Sequence, residues 1–242
     1  MNTVDFAPDQ RLNIAVIGSG IAGMSAAWLL QAKHNISVYE KNDRIGGHAN
    51  TVEVQSEKGP VPVDTGFIVY NERNYPNLSA LFGYLGVPSK KAEMSFGASL
   101  ERGHFEYSGT NLNGILGQRR NAFRLRFWKM IRGVLSFYRN ATDILDDPSY
   151  DGMSLGEYLK LGNFSDSFVE CHILPMGAAI WSTTAANMKA YPAKAFVRFF
   201  ASHGLLTLNE RPQWRTVNGG SREYVQRLTE PYRDRIYFDG VR

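Results

Sequence analysis

Between Asn13 and Glu40 the spacing of apolar residues changes twice. Asn13 to Ile17 is a short β-branched run closed by glycine, Ala22 to Gln31 carries helix formers, and ISVYE at 36–40 returns to a strand-like run. Strand, tight turn, helix and strand in this order predict a β-α-β unit, whose parallel strands need a right-handed crossover. Thr51 to Gln55 and Val61 to Val63 flank the turn-forming cluster SEKGP, which predicts a hairpin.

After DTGFIVYN the pattern becomes mainly helical from about Asn74 to Leu206, with short strands around Ser95 to Tyr107. This predicts a helical domain inserted into an α/β, Rossmann-like one, divided as 1–73, 74–206 and 207–242. The longest helix is expected from about Gln118 to Leu145. In it Phe123, Phe127, Met130, Ile131, Val134, Phe137, Tyr138, Ala141 and Ile144 recur at three- and four-residue steps and mark a core face. Ser165 to Trp181 predicts a helix interrupted at Pro175, and Ala193 to Ser202 another. The last residues, RIYFDGVR, read as one strand returning to the first domain.

The longest helix changes the picture when its charges are added. Arg119, Arg120, Arg124, Arg126, Lys129, Arg132 and Arg139 occur with no acid before Asp143. Beside Phe127 and Trp128 these cations suit peripheral contact with an anionic membrane surface, each worth about 1 kcal/mol there. A solvated helix face is the plainer reading of the same charges and comes ahead of it.

The whole chain, 242 residues with 43% hydrophobic content, is long enough for a real core. Its net charge of +4 selects no partner, and no nucleic-acid role is expected. The single cysteine, Cys171, excludes an internal disulfide framework and a multi-cysteine metal site, and reads as a buried thiol. MNTVDFAPDQRLN lacks the apolar run of a secretory signal. IAVIGSGIAGMSAAWLL is broken by three glycines, where a span needs roughly 20 uninterrupted apolar residues. A cytoplasmic location is the default expectation.

Candidate chemistry begins with GSGIAG, Gly18 to Gly23, between the first strand and helix. Gly18 permits the tight turn, Gly20 lets backbone approach a pyrophosphate, and Gly23 lets the helix pack on the strand. Phosphates then meet free amides and the positive end of the helix dipole, beside Ser19, Ile21 and Ala22. Glu40 ends the next strand, where a carboxylate accepts hydrogen bonds from adenosine ribose. The ADP half recognised this way is common to NAD and FAD, so this unit leaves both open.

The stretch EKNDRIGGHANTV narrows the choice. Glu40, Arg44, Gly46 and Gly47 resemble the ribose glutamate and R-x-G-G motif of the flavin-containing amine oxidase superfamily. VDTGFIVYNERNYPNLSALFGYLGV is similar to that family's D-x-G segment and following helix, and WRTVNGGSREYVQRL to its V-x-G-G segment. The IWSTTAANMKAYPAKAFVRFFASHGLL run looks most like bacterial NAD/FAD-binding, amine oxidase-like proteins. The resemblance implies FAD as cofactor, an FAD-binding role for residues 1–73 and 207–242, and a substrate role for 74–206. It implies cofactor contacts for Lys41, for Arg44 on the diphosphate or adenosine side, and for Gly46 and Gly47 along phosphate and ribityl. It places Gly66, Phe67 and Ile68 near the isoalloxazine, with Asp64 fixing that turn by local hydrogen bonds. His48 stands where the family has a second arginine, which implies a weaker grip or a different ring environment. Family members continue further, with more sheet and a Gly-Asp motif, so the resemblance also implies a partial sequence.

Catalytic residues stay unassigned, because the flavin itself carries the hydride chemistry. His104, His172 and His203 are scattered without metal-ligand spacing, so no metal is expected and each reads as structural. There is no G-x-S-x-G elbow and no P-loop lysine. Trp128, Phe137, Trp181, Phe196, Phe199 and Phe200 would give a substrate cavity an apolar lining, although core packing explains most of them. An amine oxidase-type enzyme with an apolar substrate is the first expectation. A lipid- or fatty-acyl-modifying flavoenzyme at a membrane, an NAD enzyme and a non-catalytic nucleotide-binding fragment are the alternatives.

Overall fold

β1 (Asn13–Ile17) and β2 (Asn35–Glu40) pair in parallel, Asn13 opposite Asn35 and Ile17 opposite Tyr39, with α1 (Ile21–Leu30) as the crossover between them. The sequence spacing required this unit, and the chain packs as it implies: Val16, Ala27, Ile36 and Val38 share one small core. The computed structural model describes residues 10–207 and 212–238; the readings made on residues 1–9 and on the tail after Phe238 lie outside them. Two units follow from the packing, Met1–Glu93 with Gln213–Arg242, and Met94–Pro212.

In the first unit β3 (Thr51–Ser56) and β4 (Gly59–Asp64) form the expected antiparallel hairpin, Thr51 opposite Asp64. β5 (Tyr70–Asn71) leads to α2 (Pro76–Tyr84), which begins with a proline where the missing N–H costs nothing, and then to β6 (Ser89–Ala92).

The second unit opens with the hairpin β7 (Gly97–Leu100) and β8 (Phe105–Ser108), then a single helical turn, α3 (Leu112–Ile115). The long helix expected over 118–145 is divided. Arg119–Phe123 is a tighter 3₁₀ turn, Arg124 is extended at φ −102° and ψ 121°, and α4 (Leu125–Asn140) starts after it, followed by a second 3₁₀ stretch, Ala141–Ile144. The cause is local: Asn121 is fully buried and donates its side-chain amide to the Glu106 carbonyl at 2.9 Å, so the turn is fastened to β8 instead of continuing a helix. Phe127, Met130, Phe137, Ala141 and Ile144 are core as expected, but Phe123 is 92% exposed.

α5 (Leu155–Leu161) carries a reciprocal capping box between Ser154 and Glu157. The helix expected over Ser165 to Trp181 is α6 (Asp166–Phe168), a π-helical turn Val169–Ile173, and α7 (Leu174–Trp181). Pro175 cannot donate to the carbonyl four residues back, that of Cys171, and this orphan acceptor takes the Tyr107 hydroxyl at 2.8 Å instead. α8 (Ala185–Ala190) and α9 (Ala193–Ser202) complete the unit, the latter with the bounds read from its spacing. Its core is aromatic, with Phe137, Phe168, Phe196 and Phe200 inaccessible and the Phe196 and Phe200 rings 4.2 Å apart.

The chain then returns to the first unit. β9 (Trp214–Val217) pairs antiparallel with β5 and β6, α10 (Arg222–Thr229) follows, and β10 (Ile236–Phe238) pairs in parallel with β2. The resulting sheets have the orders β1-β2-β10 and β5-β9-β6. Because β9 joins β5 to β6, the segment holding α2 and β6 packs with the first unit, so the unit boundary falls after Glu93 and not at 73.

Candidate functional site

The N-terminus of α1 opens directly onto the glycine turn. Gly18 takes φ +91° and donates its N–H to the Tyr39 carbonyl at 2.8 Å, which ties the turn to the end of β2. Gly20 is the N-cap residue, with extended φ −69° and ψ 175°, and no side chain caps the helix. The first-turn amides around Ile21 and Ala22 are therefore available to an anion, with the dipole in its favour. A Cβ on Gly23 would lie 2.0 Å from the Gly18 carbonyl oxygen, so helix and turn touch through backbone, whereas a Cβ on Gly20 would meet no protein atom within 4 Å.

The expected ribose acceptor, Glu40, is only 5% exposed and already holds four protein donors. One oxygen, Oε2, accepts from the Ser19 N–H at 2.9 Å and the Ser19 hydroxyl at 2.5 Å; the other accepts from the backbone and side-chain amides of Asn42 at 2.9 and 3.0 Å. Burial alone would raise its pKa, but the bonds from Ser19 and Asn42 outweigh it and hold the carboxyl below the ordinary range. Glu40 thus clasps the glycine turn to the end of β2, and a ribose hydroxyl would have to displace Ser19 Oγ or the Asn42 amide. Glu40→Gln, which replaces an acceptor by a donor facing these amides, is expected to destabilise the first unit by about 2 kcal/mol, measured by urea unfolding.

The R-x-G-G stretch lies against the same turn. The Gly46 N–H donates to the Ser19 carbonyl at 3.0 Å, and exposed Arg44 donates through Nη1 to the Gly47 carbonyl at 2.9 Å. Lys41 is exposed beside Glu40. The His48 side chain is exposed, while its backbone carbonyl accepts the Phe67 N–H at 3.0 Å. A Cβ on Gly66 would stand 2.0 Å from that carbonyl oxygen, so the D-x-G segment passes the R-x-G-G segment at backbone contact. Phe67 is half-buried against Tyr224, ring centroids 6.2 Å apart, and Ile68 is 53% exposed.

Asp64 binds within the fold, as expected, but reaches further than a local turn. It accepts from the Thr51 hydroxyl at 2.6 Å and from the Ser221 N–H at 2.9 Å and hydroxyl at 2.8 Å. This carboxylate sits at the N-terminus of α10 and anchors the V-x-G-G segment to the hairpin.

These segments enclose a cleft of about 530 Å³ lined by Gly20, Ile21, Ala22, Gly46, Gly47, His48, Ala49, Phe67, Tyr75, Leu78 and Tyr224. Its size suits a cofactor-sized ligand. Tyr75, Leu78 and Tyr224 were not among the residues singled out from sequence; apolar spacing in α2 and α10 was their only signal. Burial, and next the Asp64 carboxylate, push the Tyr224 phenol up to about 12, so it stays a neutral donor at physiological pH. The lining combines a bare helix N-terminus with the aromatic side chains of Phe67, Tyr75 and Tyr224, which together suit a dinucleotide that carries a planar ring. Among the described residues no three His, Cys, Asp or Glu side chains group as metal ligands.

Residues 16–85 match the family model described as an NAD(P)-binding Rossmann-like domain. A Mycobacterium tuberculosis protein described as a flavin-containing monoamine oxidase, AofH, is 28% identical over 229 residues, covering 90% of this chain and 48% of that one. A 15-cis-phytoene desaturase of Narcissus pseudonarcissus is 26% identical over 187 residues, 72% of this chain and 32% of its own. In structure the chain is similar to putrescine oxidase, with a TM-score of 0.60 at 20% identity over 95% of this chain and 50% of that one. The fold is thus that of the amine oxidases, and the chain spans half or less of the length of these relatives.

Proposed function

We propose that this chain is the dinucleotide-binding and substrate-domain part of an FAD-dependent oxidoreductase of the amine oxidase type, acting on a small, apolar molecule. The observation that carries the reading is the cleft itself, where an uncapped helix N-terminus behind a glycine turn faces aromatic side chains. In this reading the amides of Gly20, Ile21, Ala22 and Gly23 hold the pyrophosphate, with Gly18 shaping the turn and Ser19, whose N–H is held by Glu40, lining it. Glu40 and Lys41 lie on the ribose side, and Arg44, Gly46, Gly47 and His48 along the diphosphate and ribityl chain. Gly66, Phe67 and Ile68 face the ring.

FAD, when bound, accepts the hydride. The protein's part is to fix the ring against the aromatic wall and to keep water from it. Arg44 already donates to the Gly47 carbonyl, so it acts by shaping the loop that passes the phosphates. The relatives' names support flavin over a nicotinamide, since AofH is described as flavin-containing. The 94–212 unit is proposed to meet substrate, and peripheral membrane contact through the basic segment completes the reading, which allows a lipid-like substrate as its second form. We place the protein in the cytoplasm or at its membrane surface.

Purified protein is expected to carry oxidised-flavin absorption or, stripped of it, to bind added FAD with a raised Tm. A colourless chain stabilised by NADH and indifferent to FAD contradicts the proposal.

A further inference from the structure

Phe123 is 92% exposed, the most of any large apolar side chain among the described residues, and Leu125 and Trp128 follow nearby at 71% and 52%. Such a cluster is unusual unless something covers it. Its mount is firm. Asn121 anchors the 3₁₀ turn to β8, the Trp128 indole N–H donates to the Ala122 carbonyl at 2.8 Å, and Arg120 and Arg124 donate to the His104 carbonyl at 3.1 and 2.7 Å. A fastened turn therefore holds Phe123 outward.

The rest of the face is cationic. On α4 the exposed positions Leu125, Trp128, Lys129, Arg132, Leu135 and Arg139 follow three- and four-residue steps, while Phe127, Met130, Gly133 and Phe137 are buried on the other side. Arg119 and Arg120 flank Phe123 before the helix, and no Asp or Glu occurs between Arg119 and Thr142. Arg126 is withdrawn into an ion pair with Glu101.

We propose that the 3₁₀ turn and the outer face of α4 form a docking surface for a bilayer with anionic headgroups. Phe123, Leu125 and Trp128 enter the acyl boundary, and Arg119, Lys129 and Arg132 meet the headgroup charges. Apolar tips ringed by cations match a layer that is apolar below and negative above. A nucleic acid offers no apolar layer for Leu125 to enter. No helix among the described residues is long and apolar enough to cross a membrane, so the contact is peripheral. This rests on the membrane-contact part of the proposed function and deepens it; it stands apart from the flavin part.

The test is co-sedimentation of the full chain with vesicles of phosphatidylcholine and phosphatidylserine, against phosphatidylcholine alone. Binding is expected to be at least about tenfold stronger to the mixed vesicles, with about fivefold lost for each of Arg119→Gln and Arg132→Gln. A Phe123→Ser, Leu125→Ser double variant is expected to lose about tenfold or more with an unchanged Tm, since both side chains stand in solvent. FAD affinity of these variants reads the flavin part separately. Equal binding to both vesicle types, or a serine variant that binds as the parent does, overturns the proposal. So does a chain that ignores vesicles but dimerises until Phe123 is replaced, which would make a second copy the occupant.

Discussion

Gly23→Ala is expected to destabilise the first unit by at least about 3 kcal/mol, whereas Gly20→Ala, three residues earlier, is expected to leave stability within about 1 kcal/mol of the parent. At Gly23 the added methyl would lie 2.0 Å from the Gly18 carbonyl oxygen and 3.1 Å from its carbon. Both are backbone, so relief requires α1 to move off the turn. That movement also opens the contact between α1 and β2, because Met24 and Ala27, inaccessible on the same helix, must follow. At Gly20 the backbone already has φ −69° and ψ 175°, which alanine adopts freely, and no protein atom lies within 4 Å of the new methyl.

The two variants should part again on cofactor binding. In the proposed binding mode the pyrophosphate reaches the first-turn amides through the space beside Gly20, so a methyl there is expected to weaken FAD binding by about 100-fold or more, roughly 3 kcal/mol. Thermal unfolding and FAD titration of both proteins check this. A Gly20→Ala protein that keeps its FAD affinity would move the ligand away from the turn, and a Gly23→Ala protein with the parental Tm would refute the backbone contact.

The parts of this site that were legible in the sequence are those written in consecutive residues. The β1-α1-β2 unit, the 51–64 hairpin and α9 follow from the spacing of apolar residues and from glycine placement, because each element's own hydrogen bonds and one buried face decide it. The position of Glu40 at the end of β2 was legible, but its partners were not: Ser19 lies 21 residues away and meets it only after the strands pair. The Asp64 to Ser221 contact spans 157 residues, and β9 reaches β5 and β6 only when the chain has returned from the second unit. Tyr75, Leu78 and Tyr224 were invisible as site residues because an apolar position lining a cleft has the same spacing as one facing a core. The long helix failed at Phe123 for the opposite reason. Its spacing from Phe127 extends the apolar stripe, but the buried amide of Asn121 fastens the preceding turn elsewhere and leaves Phe123 in solvent. At Pro175 the break was legible, though not its form, since a π turn and the Tyr107 hydroxyl together absorb what the proline cannot donate.

That same break sets up the second unit's response to acid. The Tyr107 hydroxyl has one proton and donates it to the Cys171 carbonyl, so at 2.9 Å from His172 Nδ1 it accepts the imidazole N–H. His172 Nε2 is then a bare lone pair, buried with no partner among the described residues, between the rings of Phe96 and Phe168. Burial lowers its pKa from 6.5 to about 4. Between those values the unfolded chain takes up a proton that the folded chain refuses, so stability should be full above pH 6.5 and fall as the pH drops toward 4. The loss is on the order of 3 kcal/mol. Glu40, also held below its ordinary value, loses its contribution only below about 4.5, so the upper part of the window isolates the histidine. In His172→Phe the Tyr107 hydroxyl keeps the Cys171 carbonyl and the unpartnered nitrogen is gone. Stability at neutral pH should change by no more than about 1 kcal/mol, and the slope between pH 6.5 and 4.5 should flatten. Urea unfolding followed by tryptophan emission at several pH values measures both, and an unchanged slope in the variant would place the acid sensitivity elsewhere.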